Sequence, residues 1–257
     1  MRFRDKVIII TGGASGMGLA AAKLFASEGA IVAINDLKPA SVQSALDAIQ
    51  QAGGKGFDLS GDVTDAEVAK SGVAKLLSAF GRVDVLINNA GIATSQPAET
   101  YTAWRKIHSV NLDAPFYWSQ IVARDAMIPA RRGAIVNVAS LAGLNAFPGD
   151  VGYIASKHGL VGMTKALALE WVGHGIRVNC ICPGFTDTQI IKDVEAVDPG
   201  RFTERRKRVP MGRAATAEEQ AKVIVFLASD DASYMTGVAL NNDGGQFAMS
   251  SGWSPRN

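Results

Sequence analysis

The chain has 257 residues, 47% of them hydrophobic, which is material for one large core and a length that a single α/β domain can fill. Its 26 basic and 24 acidic side chains leave a formal net charge of +2, so nothing electrostatic points to a nucleic acid or an anionic membrane as partner. Two cysteines, Cys180 and Cys182, are too close in sequence to staple a fold; they read as small buried apolar residues, with no pull towards an oxidising compartment.

A basic start, Met1-Arg2-Phe3-Arg4-Asp5-Lys6, imitates a signal peptide, but the apolar run behind it is short and stops at Thr11-Gly12-Gly13. No stretch approaches the roughly 20 apolar residues of a membrane span, and a soluble, cytoplasmic protein is expected. Val7–Ile10 is the first β-rich run. Ile31–Asn35, Gly56–Val63, Val83–Asn88, Ala134–Ala139, Arg177–Cys182 and Val238–Asn242 follow. Most are continuous Val/Ile/Leu rather than alternating, the mark of strands covered on both faces. Helical patterns lie between them. Gly16–Glu28 carries Met17, Leu19, Ala20, Leu24 and Phe25 as apolar positions. Asp65–Ala79 opens on the capping-box sequence Thr64-Asp65-Ala66-Glu67, and Thr216-Ala217-Glu218-Glu219 repeats the device before Gln220–Ala228. The alternation predicts a doubly wound α/β fold of Rossmann type: a parallel sheet of about seven strands with helices on both faces, in a single domain over residues 1–257. Residues 185–213 carry no strand pattern and contain Pro199, Gly200, Pro210 and Gly212. Leaving the carboxyl end of a strand, this segment is expected to form a lid over a substrate.

The first strand runs into Thr11-Gly12-Gly13-Ala14-Ser15-Gly16-Met17-Gly18. Glycines at 12, 16 and 18 permit a tight turn and the close approach of a pyrophosphate, whose charge meets the N-terminus of the next helix. No Gly-Lys-Ser/Thr follows, so the loop is not a P-loop. Asp36 closes the second strand, 18 residues after Gly18. A carboxylate there accepts hydrogen bonds from the adenosine ribose and repels a 2′-phosphate. Ser15, Asn35 and Leu37 include no arginine to welcome that phosphate, and Lys38 is the one nearby cation in sequence, so NAD is expected over NADP. Asp62-Val63, at the end of the third strand, would bring a carboxylate and an apolar group to the adenine. Asn88-Asn89-Ala90-Gly91, at the end of the fourth, would bring small residues to the adenosine half.

Ser140 lies just past the fifth strand, and Tyr153 and Lys157 follow, four apart and so on one face of a helix. A protonated lysine beside a phenol favours the phenolate, moving the tyrosine from its usual pKa of ~10 towards working pH, and a positive nicotinamide pushes the same way. Ser140 can donate to a substrate oxygen. In this order – dinucleotide loop, strand ending in serine, Tyr-x-x-x-Lys helix – the sequence resembles the short-chain dehydrogenase/reductase family over essentially the whole chain, in its branch of about 250 residues. The resemblance rests on Thr-Gly-x-x-x-Gly-x-Gly at 11–18, Asn-Asn-Ala-Gly at 88–91, and Asn111 in Ser109-Val110-Asn111-Leu112. Ser140, Tyr153 and Lys157, Pro183-Gly184 with Thr188, and Asp243-Gly244-Gly245 complete it.

That resemblance implies that Tyr153 is the general acid/base and that Lys157 lowers its pKa and binds the nicotinamide ribose. Ser140 would orient the substrate, and Asn111 would hold a water in a proton relay with Lys157. The cofactor is expected against Gly12, Ser15, Gly16, Met17, Gly18, Asp36, Leu37, Asp62, Val63, Asn89, Ala90, Gly91, Tyr153, Lys157, Pro183, Gly184, Thr186 and Thr188. Thr186 stands where the family often has Ile or Val, whose backbone meets the carboxamide. Also implied is a homodimer or homotetramer, packed across the helices that follow Tyr101 and contain Tyr153.

The expected activity is that of an NAD-dependent alcohol dehydrogenase, interconverting a secondary alcohol, polyol, sugar or ring diol with its ketone by hydride transfer. Ser140, Leu141, Ala142, Asp150 and Tyr153 are expected to meet this small-molecule substrate, with Gly143, Leu144 and Val151 nearby. Arg205-Arg206-Lys207-Arg208, close to Arg201, reads either as a solvated helix face or as the source of one arginine, such as Arg205, that pairs with an acidic substrate. Two other readings stand beside the first. A 3-oxoacyl-thioester reductase of fatty-acid type commonly uses NADPH and often has a basic residue where this chain has Ser15. A non-catalytic dinucleotide-binding regulator would have no need of Asn111, Ser140, Tyr153 and Lys157. Trp104 and His108 fall in an amphipathic stretch, and His158 and His174 have no metal-ligand spacing with Cys180 or Cys182, so no metal is expected.

Overall fold

Apolar strands that must be covered on both faces pack here between two layers of helices. The computed structural model describes residues 1–200 and 202–249; within them the side chains of Gln189, Ile190, Lys192, Asp193, Glu204 and Arg205 lie outside the description. The first half of the chain alternates β1 (Val7–Thr11), α1 (Gly16–Ser27), β2 (Ile31–Asn35), α2 (Pro39–Gln51), β3 (Lys55–Asp58), α3 (Ala66–Phe80) and β4 (Val85–Asn88). Next, α4 (Trp104–His108), α5 (Ala114–Val122) and α6 (Ile128–Ala130) are joined end to end by π-helical turns at Ser109–Asp113 and Ala123–Met127. Then come β5 (Gly133–Val138), α7 (Val151–Trp171), β6 (Ile176–Pro183), α8 (Gln189–Val197), α9 (Thr203–Lys207), α10 (Ala217–Ala228) and β7 (Ala239–Asn242).

All seven strands are parallel, in the order β3-β2-β1-β4-β5-β6-β7. Alternate residues of each strand serve opposite layers. Ile8, Ile10, Val32 and Ile34 pack with Phe25 of α1, Ile49 of α2 and Ile224 of α10. Val7, Ile9, Leu86 and Ile135 pack with Val73 of α3, Trp118 of α5 and Leu167 of α7. This two-sided burial is why the strands read as continuous apolar runs. From β1 the chain winds outward to β2 on one side and β4 on the other, which opens a crevice at their carboxyl ends, where doubly wound sheets bind ligands.

Two expectations are corrected. The third strand ends at Asp58 rather than Val63, because β3 is an edge strand paired to β2 alone and Gly61 turns the chain at φ +153°. Asp62 therefore sits in the following turn, where it accepts from Thr64 N and Oγ1. The α3 cap is Asp65, whose carboxylate accepts from Glu67 N, and not a Thr64 capping box; at Thr216 and Glu219 the full box does form. The 185–213 segment carries no named strand among its described residues, as expected. It holds α8 and α9 and is tied back by a parallel bridge between Thr186 and Ala215.

Candidate active site

The crevice at the strand ends holds two neighbouring cavities. One, of about 320 Å³, is lined by Gly12, Ser15, Gly16, Met17, Asp36, Leu37, Asp62, Val63, Asn89, Ala90, Gly91 and Thr188 among the expected residues, with Asn35, Ile92, Lys106 and Val110 in addition. Its floor is the glycine loop. Gly12 has φ +62°, and a Cβ there would stand 2.9 Å from Ala90 Cα, so the turn and the close approach each require glycine. A side chain on Gly18 would collide with the Gly12 carbonyl. The Asn88-Asn89-Ala90-Gly91 motif is the other half of this packing. Asn89 Nδ2 donates to the carbonyls of Thr11 (3.0 Å) and Gly12 (2.9 Å), while Thr11 Oγ1 accepts from the Asn89 and Ala90 amides.

The α1 N-terminus faces this cavity with no acidic residue in its first turn, so its partial positive charge is available to an anion. Asp36 accepts from Ala14 N (3.2 Å) and from Leu37 N (2.8 Å), which fixes its carboxylate against the loop. Lys106, rather than Lys38, is the cation of this cavity, and its charge, after the bonds from Thr64, helps hold the Asp62 carboxyl below its usual range. A glycine cradle, an unopposed helix N-terminus and a carboxylate at the β2 end fit a dinucleotide, and its pyrophosphate would lie against Gly12–Gly18.

The second cavity, about 280 Å³, adjoins the first through Met17 and Thr188, which line both. Ser140, Leu141, Ala142, Asp150, Tyr153, Pro183, Gly184 and Thr186 line it as well. Ser140 follows β5 and caps the short 3₁₀ turn Leu141–Gly143, its Oγ accepting from Ala142 N at 3.1 Å. Tyr153 and Lys157 lie on one face of α7, with Lys157 Nζ 5.7 Å from the Tyr153 ring centre. The Lys157 amine is buried and donates to the Val138 carbonyl at 2.8 Å; burial lowers its pKa to about 8. Gly91 marks where the elements meet: a Cβ there would lie 3.5 Å from both Lys157 Nζ and Asn111 Oδ1.

Asn111 belongs to the π turn between α4 and α5, a distortion common at functional sites. Its side chain is committed to protein groups: Oδ1 accepts from Ile92 N (2.9 Å), and Nδ2 donates to Ile92 O (2.9 Å) and Ser156 Oγ (3.2 Å). Asp150 does line the cavity, but as the α7 cap rather than as a free acid. Its carboxylate accepts from Thr94 N (2.8 Å), Thr94 Oγ1 (3.0 Å), Tyr101 OH (2.6 Å) and Tyr153 N (3.2 Å). Burial and the Asp150 carboxylate push the Tyr101 phenol up to about 12. Thr186 turns its hydroxyl to Gly184 O and Gln220 Nε2. Pro183-Gly184 and Asp243-Gly244-Gly245 prove to be one contact, since a Cβ on Gly184 would fall 2.5 Å from Asp243 Cα.

Sequence reasoning did not single out Asn145, Ala146, Phe147, Gln246 and Met249, which also line this cavity; Ile191, Val194, Phe202 and Arg208 reach it from the 185–213 segment, Arg208 as a member of the basic run 205–208. They come from separate loops and helices with no shared spacing. The side chain of Arg205 and the whole of Arg201 lie outside the described residues. Trp104 and His108 stack on each other at the surface, with ring centres 4.2 Å apart. Among the described residues no helix is long and apolar enough to cross a membrane.

A family model described as enoyl-(acyl carrier protein) reductase matches residues 12–246. The chain is 41% identical to a 3-oxoacyl-[acyl-carrier-protein] reductase of Thermotoga maritima, over 95% of this chain and 99% of that protein. It is 39% identical to a cyclohexanol dehydrogenase of an Acinetobacter species, over 95% of each. The solved structure of levodione reductase superposes with a TM-score of 0.91 at 34% identity, covering 97% of this chain and all of that one. With the fold, the glycine cradle and the Ser140, Tyr153, Lys157 cluster in one crevice, the chain belongs to the short-chain dehydrogenase/reductase family of oxidoreductases.

Proposed function

We propose that the protein oxidises a small secondary alcohol with a largely apolar frame to its ketone, with NAD as cofactor. The observation that carries this reading is the meeting of Ser140 and Tyr153 on a cavity walled by Leu141, Phe147, Ile191, Val194 and Phe202 and adjoining the dinucleotide cleft. A volume of about 280 Å³ is at the small end for ligand sites, which suits a ring or short branched substrate. Cyclohexanol dehydrogenase and levodione reductase are relatives whose names fit such a substrate. The reductase of Thermotoga maritima favours a second reading, a 3-oxoacyl thioester as substrate, for which NADPH is the expected reductant.

In the proposed mechanism the bound nicotinamide supplies the hydride acceptor. Ser140 Oγ donates to the substrate oxygen and holds the carbinol beside Tyr153. Tyr153 takes the hydroxyl proton, and the nearby Lys157 cation favours its phenolate. With a pKa of about 8 Lys157 is still mostly protonated at neutral pH. Asn111 keeps Ile92 and Ser156 in register behind Lys157, and the relay water assigned to it belongs to this proposal. Asp36 would accept from the adenosine ribose and disfavour a 2′-phosphate. The 185–213 segment supplies Phe185, Ile191, Val194 and Phe202 to the cavity and would serve as its lid, with Ser95 Oγ donating to Asp198 at the far end of α8. A homodimer or homotetramer is proposed because Phe116, Tyr117, Val151, Leu169 and Val172 leave apolar surface exposed on α5, α7 and just beyond α7, and a cytoplasmic location is part of the same reading.

Four outcomes test this reading. Tyr153→Phe should keep NAD binding and lose at least a thousandfold in kcat with cyclohexanol, measured as NADH formation at alkaline pH; near-normal turnover would refute the role. Asp36→Ala should narrow the NAD-over-NADP ratio of kcat/KM by tenfold or more, and an unchanged ratio would leave Asp36 only its bonds to Ala14 and Leu37. Lys157 titrates lower in the folded chain, at about 8 against an ordinary 10.5, so the unfolded chain binds more protons between those values and stability rises with pH across that window. Urea unfolding of the cofactor-free protein should show wild type gaining about 3 kcal/mol on Lys157→Met between pH 7.5 and 10.5; a pH-independent difference would mean the amine is solvated. Sedimentation should give a dimer or tetramer, whereas a monomer at micromolar concentration would reject the assembly.

A further inference from the structure

The substrate cavity contains a cation that the mechanism above does not use. Among the described residues only two charged side chains line it, Asp150 and Arg208. Asp150 is spent, with four donors on its carboxylate. The other described arginine side chains of this region are spent too. Arg206 donates to Glu195 at 3.0 Å and stacks over the Phe185 ring, and Arg213 forms a bidentate pair with Glu219. Arg208 has no described acid within ion-pair distance, although its backbone is well anchored. The next residue, Val209, is buried against Gly244, and Met211 N donates to the Gly244 carbonyl at 3.2 Å. Gln246, on the same cavity wall, accepts from Phe185 N through Oε1, and its Nε2 has no partner among the described residues.

We propose that Arg208 receives a carboxylate of the substrate, which makes the substrate a hydroxy acid on a ring or branched hydrocarbon frame. The inference rests on the alcohol-oxidising reading above. Arg208 is exposed, so the carboxylate sits at the cavity mouth while the carbinol reaches inward to Tyr153 and Ser140. The walls between, Phe147, Ile191, Val194 and Phe202, are apolar and suit carbon rather than a chain of hydroxyls. A planar guanidinium matches a carboxylate through two parallel hydrogen bonds, and Gln246 Nε2 offers a further donor. An exposed cation pairs more weakly than a buried one, so the expected effect is about tenfold rather than several thousandfold.

The test compares 3-hydroxycyclohexanecarboxylate with its methyl ester and with cyclohexanol, using NAD and the full chain. Wild type should prefer the acid to the ester at least tenfold in kcat/KM, mainly through KM, and added salt should shrink that preference. Arg208→Gln should bring the ratio close to one, and Arg208→Lys should restore part of it. Equal use of acid and ester by wild type overturns the proposal and leaves the alcohol reading standing, as does an undiminished preference in Arg208→Gln. Binding of cyclohexanecarboxylate to the NAD complex, followed by calorimetry, separates the two claims. If no alcohol is oxidised yet this acid binds and loses tenfold in Arg208→Gln, the anion site holds and the alcohol reading falls. Absence of binding, or tighter binding of cyclohexyl phosphate than of the carboxylate, overturns the carboxylate assignment.

Discussion

Burying the Lys157 amine is the constraint around which the rest of the site is arranged. An ammonium taken out of water is costly, and here the amine's pKa falls to about 8. The Val138 carbonyl at the end of β5 is the hydrogen-bond acceptor that offsets part of this cost. That bond also fixes α7 against the strand, so one interaction places Tyr153 relative to Ser140, two residues beyond Val138. Gly91 lies between this amine and Asn111, since a Cβ there would stand 3.5 Å from Lys157 Nζ and from Asn111 Oδ1. Beneath lie Cys180 and Cys182 on β6, fully buried, which leave it an apolar floor rather than a carboxylate. An acid in that position would hold the lysine charged and pair with it, and its influence on Tyr153 would be spent.

A second polar device runs deeper and makes this placement rigid. Asn88 Nδ2, at the end of β4, donates to Asn137 Oδ1 on β5 and to Ser119 Oγ on α5. Asn137 Nδ2 donates in turn to Thr164 Oγ1 on α7, whose hydroxyl returns to the Leu160 carbonyl. These buried groups tie both central strands to the rod that carries Asn111 and to the helix that carries Tyr153 and Lys157. Side-chain networks of this kind specify one packing where apolar contacts alone would tolerate several. The device has one loose end: among the described residues the Asn88 Oδ1 is buried without a partner, as is that of Asn35 at the end of β2.

Much of this was legible in the sequence for identifiable reasons. Two-sided burial writes itself as continuous Val and Ile, so β1, β2, β4, β5 and β6 were found within about two residues, the usual uncertainty of such boundaries. The edge strand β3, half in solvent, lacks that signature and was drawn too long. Gly12, Gly18, Ser140, Tyr153 and Lys157 were visible because each is set by a local turn or by one helical repeat. Asp150 was legible as a cavity residue, which it is, but its role as a cap was not, because Thr94 and Tyr101, which occupy its carboxylate, are distant in sequence. Lys106 was hidden, and Arg208 stood in the basic run 205–208 with nothing to single it out from its neighbours. Their meaning comes from the cavity they line, and no spacing in the chain records it.

The two cavities depend on each other through a small number of atoms. Met17 belongs to the phosphate loop and Thr188 stands at the N-terminus of α8, yet both line the cofactor and the substrate cavities. Thr188 therefore joins the cofactor side to the helix that supplies Ile191 and Val194 to the substrate wall. At the other end of that helix Asp198 accepts from Ser95, which lies one residue past Thr94 and so close to Asp150 and the start of α7. A single helix thus spans from the cofactor side to the residues that cap the Tyr153 helix. Its position sets how wide the substrate cavity can be, whereas the chemistry on the opposite wall is fixed by the sheet. In such an architecture substrate range can change through residues of the 185–213 segment without disturbing Lys157, Val138 or the strand ends. Relatives of similar identity bear names as different as cyclohexanol dehydrogenase and 3-oxoacyl-carrier-protein reductase, as a shared fold carrying different sites allows.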